Sequence, residues 1–147
     1  MISYADVKKI EEHFNNQLGK FGYQCLFHGH FVRDSLNHER NKPLIFRKEF
    51  TNIIARMFVK GRDILNGMKD NQEGTVRSVG YKISMPFVMK KQGNYRVIVP
   101  KTIMRKEAWG NDNPKYKNDI IILVESMTFE EFISLQEALK VFNDSII

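Results

Sequence analysis

The spacing of apolar residues changes partway along the chain, and this change constrains the fold more than any other feature of the sequence. Up to residue 65, most apolar residues recur every three or four positions, as on one face of a helix. Between residues 75 and 100 they alternate with polar residues, as in a half-buried strand. Helices followed by consecutive strands are typical of the α+β class. We therefore predict a small antiparallel sheet, a β-meander, packed against helices.

The helical part of the pattern predicts three segments before residue 70. Ser3 provides a cap for a helix over residues 4–18, and Gly19 ends it. A short helix is expected over residues 30–37, and a longer one runs from Phe46 to Gly67, loosened near its end by Gly61. The apolar face of the first helix comprises Val7, Ile10, Phe14 and Leu18. The face of the long helix comprises Phe50, Ile53, Ile54, Met57, Phe58, Ile64 and Leu65.

The strand pattern predicts a meander with one irregular position. Strands are expected at residues 23–27, 75–79, 83–89, 95–100 and 120–124, with a hairpin turn at residues 92–94. Pro86 cannot donate to a strand ladder, so it predicts an edge or a bulge. Residues 106–118 are polar and rich in turn formers. A capping box, Thr128 with Glu131, begins a last helix. The predicted apolar face of that helix comprises Phe129, Phe132, Ile133, Leu139 and Phe142.

Length and cysteine content limit the class of protein further. A chain of 147 residues predicts a single domain, 1–147. Cys25 is the only cysteine, so no intrachain disulfide can form, and no Cys/His cluster has the spacing of a zinc site. The sequence has no signal peptide pattern and no apolar run long enough to span a bilayer. We expect a soluble protein that is neither secreted nor membrane-bound and uses no metal or cofactor.

The charge distribution indicates which part of the chain would meet a polyanion. The formal net charge is +6 and the pI is near 9.4. Residues 77–106 carry eight lysines and arginines and no acidic residue, whereas the residues from 119 onward carry six acids and one lysine. Positive charge attracts nucleic acid and speeds its encounter with a protein. We expect the middle of the chain, rather than residues 119–147, to face such a partner.

One stretch combines titratable and cationic side chains. His28, His30 and His38 lie within eleven residues, together with Arg33 and Arg40. Histidine can transfer protons near neutral pH, and arginine matches the geometry of phosphate oxygens. These groups suit metal-free phosphodiester cleavage, with His30 and His38 as candidate catalytic residues. The alternative is a solvated, turn-rich segment whose histidines cap helices.

A second candidate lies where a predicted strand ends. Lys101, Thr102 and Arg105 follow Pro100 and supply two cations and a hydroxyl. They could form a cradle for phosphate, because functional residues often lie where strands pass into loops. They could equally shield an edge of the sheet as a basic strand end.

These two stretches carry a resemblance to a known group. The segment from His30 to Asn41, a following amphipathic helix, a meander and the close at residues 101–106 resemble small bacteriophage proteins, which in turn are similar to the RelE/RegB group of mRNA endoribonucleases. The resemblance covers residues 22–106 as a core and leaves residues 119–147 as an acidic C-terminal βα appendage. It predicts an arginine after Asp34, where this chain has Ser35.

The resemblance implies a function and residue roles. It implies a compact α+β fold and metal-independent cleavage of mRNA that leaves a 2′,3′-cyclic phosphate. His30 would transfer protons, Arg40 and Lys101 would bind phosphate, and Arg105 would be a further cation. It also implies a phage-encoded protein of the host cytoplasm or the virion. The alternatives are a non-catalytic protein of the same fold, which binds nucleic acid or belongs to the virion, and a module that docks a protein partner through residues 119–147.

Overall fold

The computed structural model describes residues 1–78, 80–105 and 120–124, together with residues 130, 133, 134 and 137. These residues form helices packed against one sheet, which confirms the predicted α+β class. The described helices are α1 (Tyr4–Leu18), α2 (Gly29–Phe31), α3 (Arg47–Lys60) and α4 (Arg62–Asn66). A 3-10 turn (Gly19–Phe21) follows α1, and a π-helical turn (Val32–Leu36) continues α2.

The sheet is mixed, which corrects the prediction of an antiparallel one. Its described strands are β1 (Tyr23–Cys25), β2 (Glu73–Ser78), β3 (Ile83–Gln92), β4 (Tyr95–Pro100), β5 (Met104–Arg105) and β6 (Ile120–Leu123). The order is β1-β4-β3-β2-β6, and β5 also pairs with β3. The predicted meander β2-β3-β4 is antiparallel, but β1 runs parallel to β4 and β6 runs parallel to β2. The parallel partners are distant in the sequence, so an alternating pattern does not reveal their direction.

The ladder on one side of β3 is interrupted beside Pro86, as the sequence predicts. β4 pairs with residues 87–92 of β3, whereas β5 pairs with Ile83 and Ser84. The residues between β4 and β5, 101–103, leave the ladder, and the only ladder-like bond there runs from the Lys101 N–H to the Pro86 carbonyl, at 2.8 Å. The backbone of Ile103 must therefore find partners outside the sheet.

The core lies between the helices and one face of the sheet. The predicted apolar face of α1 is buried, and the helix has the predicted bounds. The long helix predicted after Phe46 is divided at Gly61 into α3 and α4. A Cβ atom at Gly61 would lie 2.7 Å from the Met57 carbonyl oxygen and 2.8 Å from the side chain of Ile122 on β6. Glycine at this position lets β6 pack closely against the helix.

Side chains of α1 protect the outer edge of β1. On the side of β1 that faces away from β4, the Asn15 carboxamide accepts from the Cys25 N–H (2.7 Å) and donates to its carbonyl (3.1 Å). Glu11 accepts from the Phe27 N–H at 2.8 Å, and Lys8 donates to the Phe27 carbonyl at 2.9 Å. The spacing of Lys8, Glu11 and Asn15 places them on one side of a helix, so α1 occupies these outer backbone groups with side chains.

The strand of the predicted C-terminal segment is part of the sheet. β6 pairs with β2 over residues 120–123, and Ile122 and Val124 are buried in the common core. Residues 130, 133, 134 and 137 are helical, in agreement with the predicted last helix, and Ile133 is exposed. The predicted loop at residues 106–118, the capping box and the remaining apolar positions of that helix lie outside the described residues.

Candidate functional site: the Arg40–Thr102 contact

The predicted short helix begins as α2 and widens into the π-helical turn. Asn37 completes the turn by donating its N–H to the Val32 carbonyl at 3.2 Å, five residues back. The carboxamide of Asn37 also bonds both backbone groups of Ile2, at 3.0 Å and 2.6 Å. This turn buries Ser35 and leaves Arg33 on the exposed side.

Ser35 joins the π-helical turn to the interrupted ladder. Its side chain accepts from the Ile103 N–H at 2.7 Å and lies 3.1 Å from the Ile103 carbonyl and 2.7 Å from the Thr102 hydroxyl. The residue is 5% exposed, so these bonds satisfy backbone groups that have left the sheet. An arginine here, as the resemblance predicts, would have to fit the same buried space. Ser35 therefore has a structural role.

The predicted phosphate binders Arg40 and Thr102 are in contact. The Arg40 guanidinium Nη2 donates to the Thr102 hydroxyl at 2.9 Å and to the Ser35 hydroxyl at 3.3 Å. No carboxylate among the described residues pairs with Arg40, and its side chain is exposed. We call this pair, Arg40 with Thr102, the Arg40 site. One corner of the guanidinium is held by hydroxyls, while Nε and Nη1 point to no described acceptor.

His38 stabilises the same loop rather than standing free. Its ring Nδ1 accepts a hydrogen bond from the backbone N–H of Arg40 at 3.0 Å, and the backbone N–H of His38 donates to the Ser35 carbonyl. With Nδ1 engaged, only Nε2 remains for a substrate. The sequence predicts either proton transfer or capping for His38. The described contact of its ring is a capping contact.

His30 is paired with His28, which the sequence places in the same stretch without a predicted catalytic role. The rings of His28 and His30 stack at 5.7 Å between centroids, with 11° between their planes, and both side chains are exposed. The His-Gly-His pattern was visible in the sequence, but only the fold of α2 shows that the two rings face each other. No described contact joins His30 to Arg40 or Lys101.

Arg105 is held inside the protein by a full set of bonds. Its guanidinium makes five hydrogen bonds, to the Pro43, Leu44 and Tyr81 carbonyls and to both carboxylate oxygens of Glu49. Those are all the N–H donors that an arginine has. We call this arrangement the Arg105 site. The side chain is 12% exposed, so Arg105 has neither the donors nor the access to bind an RNA phosphate.

The Arg105 site lowers the pKa of Glu49. Partial burial works to raise the pKa of Glu49, but hydrogen bonds from Arg105 and from the Phe46 N–H, and the charge of Arg105, outweigh it. The pKa of Glu49 is therefore lower than its usual value. The ion pair therefore stabilises the folded protein while Glu49 is ionised and is lost when Glu49 is protonated.

Other cations of the basic run are also engaged. Lys101 pairs with Glu73 across the sheet, Lys90 with the Asn71 side chain, and Arg96 donates to the Asn66 carbonyl at 2.8 Å. The lysines and arginines of residues 77–106 that have a described partner thus hold strands and loops together. Of the predicted phosphate binders in this run, Thr102 is the one whose side chain contacts Arg40.

Among the residues that the structure describes, the remaining chemical groups offer no alternative catalytic centre. Cys25 is fully buried, and burial raises the pKa of its thiol. Within the described part of the chain, no group of three or more His, Cys, Asp or Glu side chains could hold a metal ion, and no helix is long and apolar enough to cross a membrane. A cleft of about 430 Å³ is lined by Val59, Lys60, Arg62, Asp63, Glu130 and Ser134. Its lining includes two cations and two acids, unlike a site built for phosphate.

Comparison of the chain with protein-family models, with curated protein sequences and with solved structures finds no match. The side chains themselves must therefore support any proposal of function.

Proposed function

We propose that the protein binds RNA and that Arg40 and Thr102 hold a phosphate of the RNA backbone. The observation that carries the proposal is the state of Arg40, whose guanidinium is fixed by two hydroxyls and is paired with no described carboxylate. An arginine held in place loses less conformational freedom on binding than a free one. Its remaining N–H donors and the Thr102 hydroxyl suit phosphate oxygens.

The surroundings of the Arg40 site support an anionic ligand. Lys42 lies two residues along the same loop, is exposed, and has no described partner. Arg33, on the exposed side of the π-helical turn, has none either. A net charge of +6 adds a general attraction for polyanions. The choice of RNA over other polyanions comes from the resemblance to mRNA endoribonucleases.

The test measures RNA affinity over a range of salt concentrations for the wild type and Arg40→Ala. Loss of one phosphate contact should weaken binding and lower the slope of log affinity against log salt by about 0.7–0.9. Lys69→Ala removes the same charge from an exposed residue in the loop before β2 and serves as the matched control. Equal slopes for Arg40→Ala and the wild type would rule out the Arg40 site as the phosphate contact.

A second candidate function, RNA cleavage, is favoured by the stacked histidine pair. One imidazole of His28 and His30 would take the proton of a ribose 2′-hydroxyl, whose oxygen attacks the adjacent phosphorus. The bond from phosphorus to the 5′ oxygen then breaks, and the other imidazole gives that oxygen a proton, which leaves a 2′,3′-cyclic phosphate. Two rings separated by 5.7 Å allow both steps at one phosphate.

Cleavage is tested by incubating RNA with the purified protein in EDTA. His28→Ala and His30→Ala should each remove activity, whereas His38→Ala should retain it because His38 belongs to the Arg40 loop and makes no described contact with the stacked pair. Loss of activity in His38→Ala with retention in His28→Ala would return the role to the residue that the sequence predicts. Binding without turnover by the wild type would leave RNA binding as the function.

A further inference from the structure

Two exposed aromatic rings lie at one end of the sheet, where β1 and β4 begin. Phe21 ends the 3-10 turn and is 58% exposed, and Tyr95 begins β4 and is 39% exposed. β1 and β4 are neighbouring parallel strands, with Tyr23 opposite Arg96 and the Arg96 N–H bonded to the Gly22 carbonyl at 2.8 Å. Phe21 and Tyr95 therefore share this end of the sheet. Tyr95 and Arg96 are consecutive in β4, so their side chains point to opposite faces of the sheet, and no described contact joins the two aromatic rings.

The turn that presents Phe21 is set by Gly22. Its φ of +80° lies in the left-handed region, which glycine adopts without strain. A Cβ atom there would also lie 3.5 Å from the Asn94 carbonyl of the β3-β4 hairpin. The backbone thus brings the 3-10 turn and the hairpin together and leaves the Phe21 ring in solvent.

Two arginines stand at the same end of the sheet. The guanidinium of Arg62, on α4, lies 4.5 Å from the centre of the Phe21 ring. Arg96 donates to the carbonyl of Asn66, whose side chain accepts from the Tyr23 hydroxyl. Burial raises the pKa of Tyr23 against the charges of Arg96 and Arg62, which places both cations close to that phenol. Neither arginine forms an ion pair with a described carboxylate.

This combination fits one kind of ligand. Unpaired bases stack on aromatic rings and on guanidinium planes, while the phosphates between them meet the positive charge of arginine. The Arg62 guanidinium covers one face of the Phe21 ring, which leaves the other face for a base. A purely apolar partner would leave two arginines desolvated, and a duplex would keep its bases stacked within itself.

We propose that Phe21, with Arg62 and Arg96 beside it, forms a stacking site for the unpaired bases of single-stranded RNA, and that Tyr95 at the same end of the sheet offers a second ring. This inference rests on the proposed function for the identity of the polymer, but it uses none of the residues of the Arg40 site. The Arg40 site would hold the backbone without regard to base, and the stacking site would require that bases be free.

The test measures binding of a single-stranded RNA that carries a fluorescent purine analogue, with Phe21→Leu as the main variant. Leucine keeps an apolar side chain and removes the aromatic face, so the affinity should fall about five- to fifty-fold and the quenching of the analogue should disappear. Phe46→Leu is the matched control, because Phe46 is also 58% exposed and lies before α3. Tyr95→Leu should weaken the affinity in the same direction, and fully duplex RNA should bind the Phe21 variant and the wild type alike.

The outcomes separate the two proposals. Unchanged affinity and quenching in Phe21→Leu and Tyr95→Leu would overturn the stacking site, and a simultaneous loss in Arg40→Ala would leave RNA binding in place. The same loss for duplex as for single-stranded RNA would also overturn it, because duplex bases are not free to stack on Phe21. A wild type that binds no RNA but retains an acidic peptide would refute both proposals and make this end of the sheet a protein-docking surface.

Discussion

Arg40 and Arg105 come from two basic stretches of the chain, and both sites include a residue of one short segment, residues 101–105. At the Arg40 site the guanidinium touches two hydroxyls and remains exposed. At the Arg105 site every N–H donor of the guanidinium is bonded to a backbone carbonyl or to Glu49. Sequence alone places both residues in one class of phosphate binder. Their hydrogen bonds show that one can meet a ligand while the other holds the protein together.

The strongest way to break this comparison is to remove Arg105. Arg105→Ala leaves the largely buried Glu49 carboxylate and three backbone carbonyls without their donor. Loss of one partner of a buried ion pair costs about 3–5 kcal/mol. The free energy of unfolding, measured in urea, should fall by that order. A fall of under about 1 kcal/mol, as for a surface residue, would mean that Arg105 is as free as Arg40.

The next largest expected effect concerns Ser35, whose hydroxyl accepts a hydrogen bond from the Arg40 guanidinium. Ser35→Ala removes the hydroxyl that satisfies the N–H and carbonyl of Ile103, and a buried unsatisfied group costs about 1–3 kcal/mol. We expect a loss of stability in that range in urea, with weaker RNA binding because Arg40 loses one anchor. Ser84→Ala is the control, since Ser84 is also buried but has no described side-chain hydrogen bond. Equal losses would contradict a special role for Ser35.

The pH dependence of stability sharpens the comparison further. The pKa of Glu49 is lower in the folded protein than its ordinary value of 4.5. The unfolded chain therefore binds the proton first, and stability is lost as the pH falls from about 4.5 through the folded-state pKa. Glu49→Gln should lose less stability than the wild type over this acid range. Glu12→Gln, at an exposed carboxylate on α1, should follow the wild type, and a Glu49→Gln curve parallel to the wild type would remove the ion pair as the cause.

The smallest expected change in stability belongs to Arg40. Arg40→Ala should lower the free energy of unfolding by under about 1 kcal/mol, because an exposed side chain gives up bonds that water replaces. The same variant should show the weakened, less salt-dependent RNA binding described above. A stability loss comparable to that of Arg105→Ala would show that both arginines are structural and would leave the RNA proposal without its main support.

Local structure followed from the sequence where a single element determined it. The bounds of α1 and β4, the interruption at Pro86 and the α+β class were all indicated by spacing and by residue type. The parallel direction of β1 and β6 was not, because it depends on partners that are distant along the chain. The division at Gly61 depends on Ile122, and a glycine in a helical pattern does not show what packs against it.

The candidate site was harder to predict for the same reason. The resemblance brought His30, Arg40, Lys101 and Arg105 together, and of the two stretches that carry it the structure joins Arg40 to Thr102. Glu49 lies 56 residues before Arg105, so nothing local indicates that this arginine is already occupied. Nothing in the sequence marks Phe21 and Tyr95 as site residues, because Phe21 lies in a turn and Tyr95 at a strand start, and neither belongs to a motif.

The side chains of Lys8, Glu11 and Asn15 have a consequence for self-association. The exposed edge of a sheet is a template on which a second chain can add a strand, and this is a common route to aggregation. In this protein the outer groups of Cys25 and Phe27 are already bonded to α1. An incoming strand would have to displace a helix that also carries part of the core, so copies of this chain are kept from joining along β1.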